Sequence, residues 1–167
     1  AGVTLLQDDA LPPETLALGE ADAGTPGGTW IALSDGRTAA QRSAQRAGRP
    51  VLLLDLARDF GTTPMVGVAV GGRGDGPALA AALAPAGIQL LPLADVAGLV
   101  VLRTVACLAN EAADVLTWTG TAPTDIDTAM RLGTAYPVGP LAWADAIGPA
   151  RVATALTHLQ QHYGEVR

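Results

Sequence analysis

Lysine is missing from this chain. All ten basic residues are arginines, set against sixteen Asp and Glu, for a net charge of −6. An acidic chain without a basic cluster is a poor ligand for a phosphate backbone. Aromatic residues are only 4% of the sequence, too few for the stacking platforms that hold single-stranded nucleic acid, so no nucleic-acid partner is expected. Cysteine occurs once, at Cys107, which excludes an intrachain disulfide framework and fits a reducing cytoplasm. Cys107 lies in an apolar helical pattern and is expected to be an inert core thiol. Long hydrophobic runs are absent too. The run at residues 96–102 stops at Arg103, whereas a membrane span needs roughly 20 such residues. The N-terminal residues show no signal or transit pattern.

Nucleophiles and bases are scarce. Ser34 and Ser43 are the only serines, and no G-x-S-x-G elbow surrounds either of them. His158 and His162 are the only histidines. Their spacing of four could pair them on a helix for a metal, as in H-E-x-x-H sites. The residues between them, Leu159, Gln160 and Gln161, supply no acid to activate water. Solvated helix surface is the plainer reading.

What the chain does have is aliphatic bulk. At 167 residues and 49% apolar, it can bury a core as one domain or as two small packed units. Apolar runs at residues 3–6, 30–33, 51–56, 66–70 and 88–91 read as strands. Residues 37–47 and 77–84 read as helices. The alternation predicts a small α/β layer with largely parallel strands. After Asp95 the strand signals stop. Residues 96–118 read as one long helix, 124–132 as a second with Thr121 as its N-cap and Gly133 as its stop, 141–146 as a third and 149–163 as a fourth. On the last helix Val152, Leu156, Leu159 and Tyr163 form the apolar stripe. The expected boundary divides an α/β part, 1–93, from an all-helical part, 94–167.

An α/β layer invites a nucleotide. Gly72-Arg73-Gly74-Asp75-Gly76 has the spacing G-x-G-x-G rather than G-x-G-x-x-G, and Asp75 would put negative charge where phosphate sits; a loop is the plainer reading. Ser34-Asp35-Gly36 precedes a predicted helix, and Asp55 ends the next strand about twenty residues later. That order mimics a dinucleotide fold with its ribose acid, but the glycine loop is missing. A capped turn and a strand-end acid explain it equally. Asp125 and Asp127 lie at a helix start, where capping and the macrodipole account for them. Asn110 and Glu111 read as structural. Asp145 could cap the Gly148-Pro149 step or pair with an arginine.

Residues 103–148 carry a more specific signal. In order they hold Arg103, Asn110-Glu111-Ala112, Asp125-Ile126-Asp127, Gly133, Pro137, Gly139-Pro140, Asp145 and Gly148. This stretch resembles the helical C-terminal domain of the 3-hydroxyacyl-CoA dehydrogenases, a 6-phosphogluconate-dehydrogenase-C-terminal-like fold. Together with GRTAAQRSAQRAGRPVLLLDLA upstream, it is similar to the second half of long bacterial members, including the type associated with phenylacetate breakdown. There a shortened Rossmann-like remnant precedes an additional helical domain. On this resemblance, Ala1 and Arg167 are expected to be the bounds of a piece of a longer protein.

The resemblance implies an NAD-dependent oxidoreductase as the parent, with the helical unit closing over acyl-CoA and supplying dimer contacts. It also exposes a departure. The family places a catalytic asparagine immediately before the arginine, and Leu102 stands there. Leucine cannot hydrogen-bond a substrate carbonyl, and losing one preorganised polar contact costs about 10²- to 10³-fold in rate. The family's histidine base and its orienting glutamate would fall in residues 59–72, which contain neither. The expectation is therefore a cytoplasmic fragment without catalytic residues and without a cofactor of its own. It would serve packing, homo-dimerisation or the shaping of an acyl-CoA cleft. A CoA- or nucleotide-binding module without chemistry, and an active dehydrogenase with a displaced site, are the alternatives.

Overall fold

The computed structural model describes residues 29–73, 77, 80, 84 and 87–164. The strand expected at 3–6, most of the helix expected at 77–84 and most of the glycine loop at 72–76 lie outside them. The described elements are β1 (Trp30–Leu33), α1 (Ala39–Gln45), β2 (Val51–Leu54), β3 (Met65–Gly71), β4 (Gln89–Pro92), α2 (Val101–Thr119), α3 (Pro123–Thr134), α4 (Pro140–Ile147) and α5 (Pro149–Tyr163). A four-stranded sheet is thus followed by four helices.

The strand order is β1-β2-β3-β4. β1 pairs parallel with β2, and β3 parallel with β4, but β2 and β3 are antiparallel. The short connection explains the reversal. Only residues 55–64 separate β2 from β3, and they form no helix, whereas a parallel crossover takes a dozen or more. The sheet is mostly parallel, with one antiparallel seam.

β2, VLLL, is buried along its whole length. Its side chains alternate between faces, as strand geometry requires. Leu52 and Leu54 join Ile31, Leu33, Phe60, Val66, Val68 and Ile88 on one side. Val51 and Leu53 join Trp30, Ala32, Ala39, Ala69 and Leu99 on the other. A helical core continues beyond the sheet: Leu102, Val105, Ala106 and Ala109 of α2 pack on Ile147, Val152 and Ala155. Leu56, just past β2, belongs to this core and ties the two layers together.

Several boundaries differ from the sequence expectation for identifiable reasons. α1 is shorter than 37–47 because Arg37 binds Asp35 and Thr38 forms a capping box with Gln41. The long helix starts at Val101 rather than 96. Before it, Gly98 (φ 75°) and Leu99 (φ 51°) both take left-handed backbone, which a helix cannot contain. α3 runs through Gly133 and ends where Ala135 turns left-handed. Its N-cap position is Ala122, and the Thr121 hydroxyl bonds that of Thr119 instead. Gly36 (φ 100°) is required by close approach: a Cβ there would lie 2.6 Å from the Ala155 carbonyl oxygen of α5.

Candidate functional site

The junction between sheet and bundle is where chemistry would be sought, because ligands of open α/β sheets bind beyond the carboxyl ends of strands. The structure fills that region with the chain's own carboxylates. Asp55, 1% exposed, ends β2. One of its oxygens accepts from the amides of Val100 (2.9 Å) and Val101 (2.7 Å), and the other from Leu102 (3.1 Å) and Leu56 (2.8 Å). α2 has no side-chain cap of its own. A carboxylate 47 residues before Leu102 therefore supplies the acceptor for its first turn.

The start of α1 is closed in the same way. Asp95 accepts from Ala39 (2.6 Å) and Ala40 (2.9 Å), the Thr38 hydroxyl from Gln41 (3.0 Å), and the Thr38 carbonyl from Arg42 (3.0 Å). All four amides at this terminus have partners within the chain. A dinucleotide's pyrophosphate would need those amides, and its ribose would need a free acid at the end of β2. The Ser34-Asp35-Gly36 turn offers no replacement. Asp35 pairs with Arg37 and Arg42, and its carboxyl lies below the ordinary 3.8. Burial alone would raise it, but the Arg37 hydrogen bond and then the Arg42 charge outweigh that effect.

Leu102 is 2% exposed and belongs to the helical core. Arg103, next to it, is exposed. Its guanidinium lies over the Tyr163 ring, 4.5 Å from the centroid, and donates to the Tyr163 hydroxyl at 2.8 Å. Tyr163 therefore sits outside the stripe expected of it, while Val152, Ala155 and Leu159 are the buried residues of α5.

Three further expectations are corrected. Cys107 is exposed, because the buried face of α2 runs through Leu102, Val105, Ala106, Ala109 and Ala112, and Cys107 falls off that phase. His158 is half-buried rather than solvated, and its Nδ1–H donates to the Asp35 carbonyl at 2.7 Å. That contact fixes the proton on Nδ1, since a carbonyl only accepts. His162 is exposed, and its Nδ1 accepts from the Gln41 amide at 3.3 Å. Asp127 caps not its own helix but α4, through the amides of Leu141 and Ala142, both at 2.9 Å. Asp125 remains in the first turn of α3. Among the described residues no three His, Cys, Asp or Glu side chains gather as a metal site, and no helix is long and apolar enough to cross a membrane.

The bundle's far end differs from the junction. An open groove of about 350 Å³ runs between α2, α4 and α5. Ala109, Ala113 and Leu116 form one wall, Val152 and Leu156 the other, and Asn110 and Asp145 are its polar members. None of its lining residues is basic. Nearby elements expose large apolar side chains, Trp118 at 85% and Leu132 at 81%. Of α3, only Ile126 is buried. No feature of the sequence read in isolation marked this end, although the Ala109–Ala113–Leu116 spacing continues the core stripe past its packed part.

Residues 31–96 match the 3-hydroxybutyryl-CoA dehydrogenase reduced Rossmann-fold domain, and residues 98–167 match the 3-hydroxyacyl-CoA dehydrogenase C-terminal domain. The chain is 40% identical over 131 residues to the 3-hydroxyadipyl-CoA dehydrogenase of Escherichia coli (strain K12), covering 77% of this chain and 27% of that protein. Its fold is similar to 3-hydroxybutyryl-CoA dehydrogenase from Escherichia coli K12, with a TM-score of 0.75 and 33% identity over 98% of this chain and 34% of that one. The (S)-3-hydroxybutyryl-CoA dehydrogenase of Ralstonia eutropha shares the fold at a TM-score of 0.65 and 24% identity, over 84% of this chain and 51% of that one. The chain thus spans 27% of the curated relative's length and 34% and 51% of these two solved chains.

Proposed function

The chain belongs to the 3-hydroxyacyl-CoA dehydrogenase family, and from that premise we propose that it is a packing module of a longer oxidoreductase rather than a catalyst by itself. The parent would oxidise the CoA thioester of a 3-hydroxy acid, as the names of its relatives indicate, with NAD as the oxidant that the family resemblance implies, and phenylacetate breakdown is one pathway in which such a parent would act. In this chain the family's asparagine position is Leu102. The observation that carries the reading is its setting: the side chain is sealed in the helical core, and its amide is held by Asp55. Leucine at this position faces the helical core and offers no polar group to a substrate.

NAD does not fit the described sheet layer. The amides that would hold its phosphates and the acid that would hold its ribose are already bound within the chain. The bundle's open end supports a docking role instead. Trp118 and Leu132 are exposed apolar side chains, and the groove between α2 and α5 is lined mainly by apolar residues; exposed apolar surface marks contact with another polypeptide. That polypeptide would be a second copy or the catalytic half of the parent, with the bundle shaping one wall of its acyl-CoA cleft. The groove has no basic lining residue and so lacks a partner for the phosphates of CoA. Sedimentation velocity of the chain, alone and mixed with the catalytic half, tests the proposal. Association in either case is expected, and a monomer under both conditions overturns the reading.

A further inference from the structure

We infer that Asp55 and Asp95 form a reciprocal carboxylate latch that takes the place of a bound dinucleotide and fixes the sheet layer to the helical bundle as one body. Each carboxylate belongs to one side of the junction and holds the other. Asp55 leaves the end of β2 and gathers three consecutive amides at the start of α2. Asp95, on the segment leading to α2, reaches back 56 and 55 residues to the first two amides of α1.

The anion that an α/β layer would accept from a cofactor is here part of the chain, so it cannot dissociate. The segment between Asp95 and the amides that Asp55 holds is under backbone strain, since Leu99 is a bulky residue in left-handed conformation. It stays there because Leu99 is buried against the sheet and the amides that follow it are held by Asp55. Two further ties close the same junction: the His158 bond to the Asp35 carbonyl and the seat of Gly36 on Ala155. A hinge that opened and closed around a ligand would have to break all of these together. The bundle is thereby presented in one fixed pose, with no ligand needed to set it. This inference rests on the geometry of the junction and is independent of whether the chain packs on a second copy.

Hydrogen exchange of the intact chain, read residue by residue, tests it with Asp95→Asn and Asp55→Asn. In the unmodified chain the amides of residues 39, 40 and 100–102 should exchange slowly, and millimolar NADH should change neither their rates nor the melting temperature. Asp95→Asn should speed exchange at residues 39 and 40 by about tenfold or more and increase protease cleavage within 93–100, while β2 and β3 stay protected. Asp55→Asn should do the same at 100–102. Asp95 lies nearer the surface, so its variant keeps the test decisive should Asp55→Asn fail to fold. Unchanged rates at 39 and 40 in Asp95→Asn overturn the latch, as does protection of those amides by NADH in the unmodified chain. A monomer in the sedimentation experiment would sink the packing role and leave the latch standing.

Discussion

The two ends of the helical bundle face opposite problems. At the sheet end the helix starts are met from within: α1 and α2 begin on carboxylates carried by other elements, and Leu102 and Leu56 close the core between layers, with only the buried Trp30 Nε1 and Ser34 Oγ unpaired among the side chains of the described residues. At the far end the core stripe of α2 runs out into an open groove, and Trp118 and Leu132 stand in solvent. A site built for chemistry would show the reverse, with unsatisfied polar groups converging in a cleft and apolar surface hidden. The contrast teaches that the junction acids of this chain are spent on its own helix starts, while the far end leaves apolar side chains exposed.

Leu102 is where a substitution should have its largest effect. Restoring the family's residue with Leu102→Asn places an amide in a sealed apolar core. The expected loss is about 2–4 kcal/mol of stability, from lost apolar contact and an unsatisfied polar group, with no gain in turnover. Denaturant unfolding beside a dehydrogenase assay measures both. A stable, active variant would mean that the junction is a substrate site after all.

A smaller effect is expected at Asp127. Its carboxylate caps α4 through two amides, so Asp127→Ala should cost about 1 kcal/mol, read as a lower urea midpoint with an unchanged slope. Full stability in that variant would show that the cap contributes nothing to the bundle.

The Asp35 cluster sharpens the sheet-end claim through pH. The folded carboxyl sits below its ordinary 3.8, so its contribution is complete above that ordinary value and is lost as pH falls through the lower folded value. Thermal melting of the chain should therefore drop on the acid limb, and Asp35→Asn should flatten that drop while lowering stability at neutral pH. An acid limb that is identical in the variant would remove Asp35 from the account.

The smallest effect on stability belongs to the open end. Trp118→Ser and Leu132→Ser remove exposed side chains, and each should change folding stability by less than about 0.5 kcal/mol. Both should weaken association in sedimentation. A large stability loss would show that these residues are core, contradicting the comparison.

Much of this architecture was legible in the sequence because it follows from local pattern. The runs WIAL and VLLL, the proline that opens α5 and the aliphatic spacing of α2 gave strands and helices in their places, and the ordered motifs from Arg103 to Gly148 gave the family. The misread features depend on distance or phase. Nothing local to Asp55, Asp95 or Asp127 reveals that their acceptors serve amides 14 to 56 residues away. Cys107 was read from its apolar neighbours rather than its angle on the helix. The antiparallel seam between β2 and β3 follows from a short connection that strand propensity does not report. Thus the departure of Leu102 from the family's asparagine is legible in one letter, whereas its burial in the helical core emerged only from the fold.

One assay decides whether this family scaffold has chemistry of its own. The purified chain is mixed with NADH and acetoacetyl-CoA, and absorbance of the reduced nicotinamide is followed over hours. The expected rate is indistinguishable from the protein-free blank at any protein concentration. Oxidation that scales with the amount of chain, and that is lost when the junction carboxylate Asp55 is removed, would contradict it.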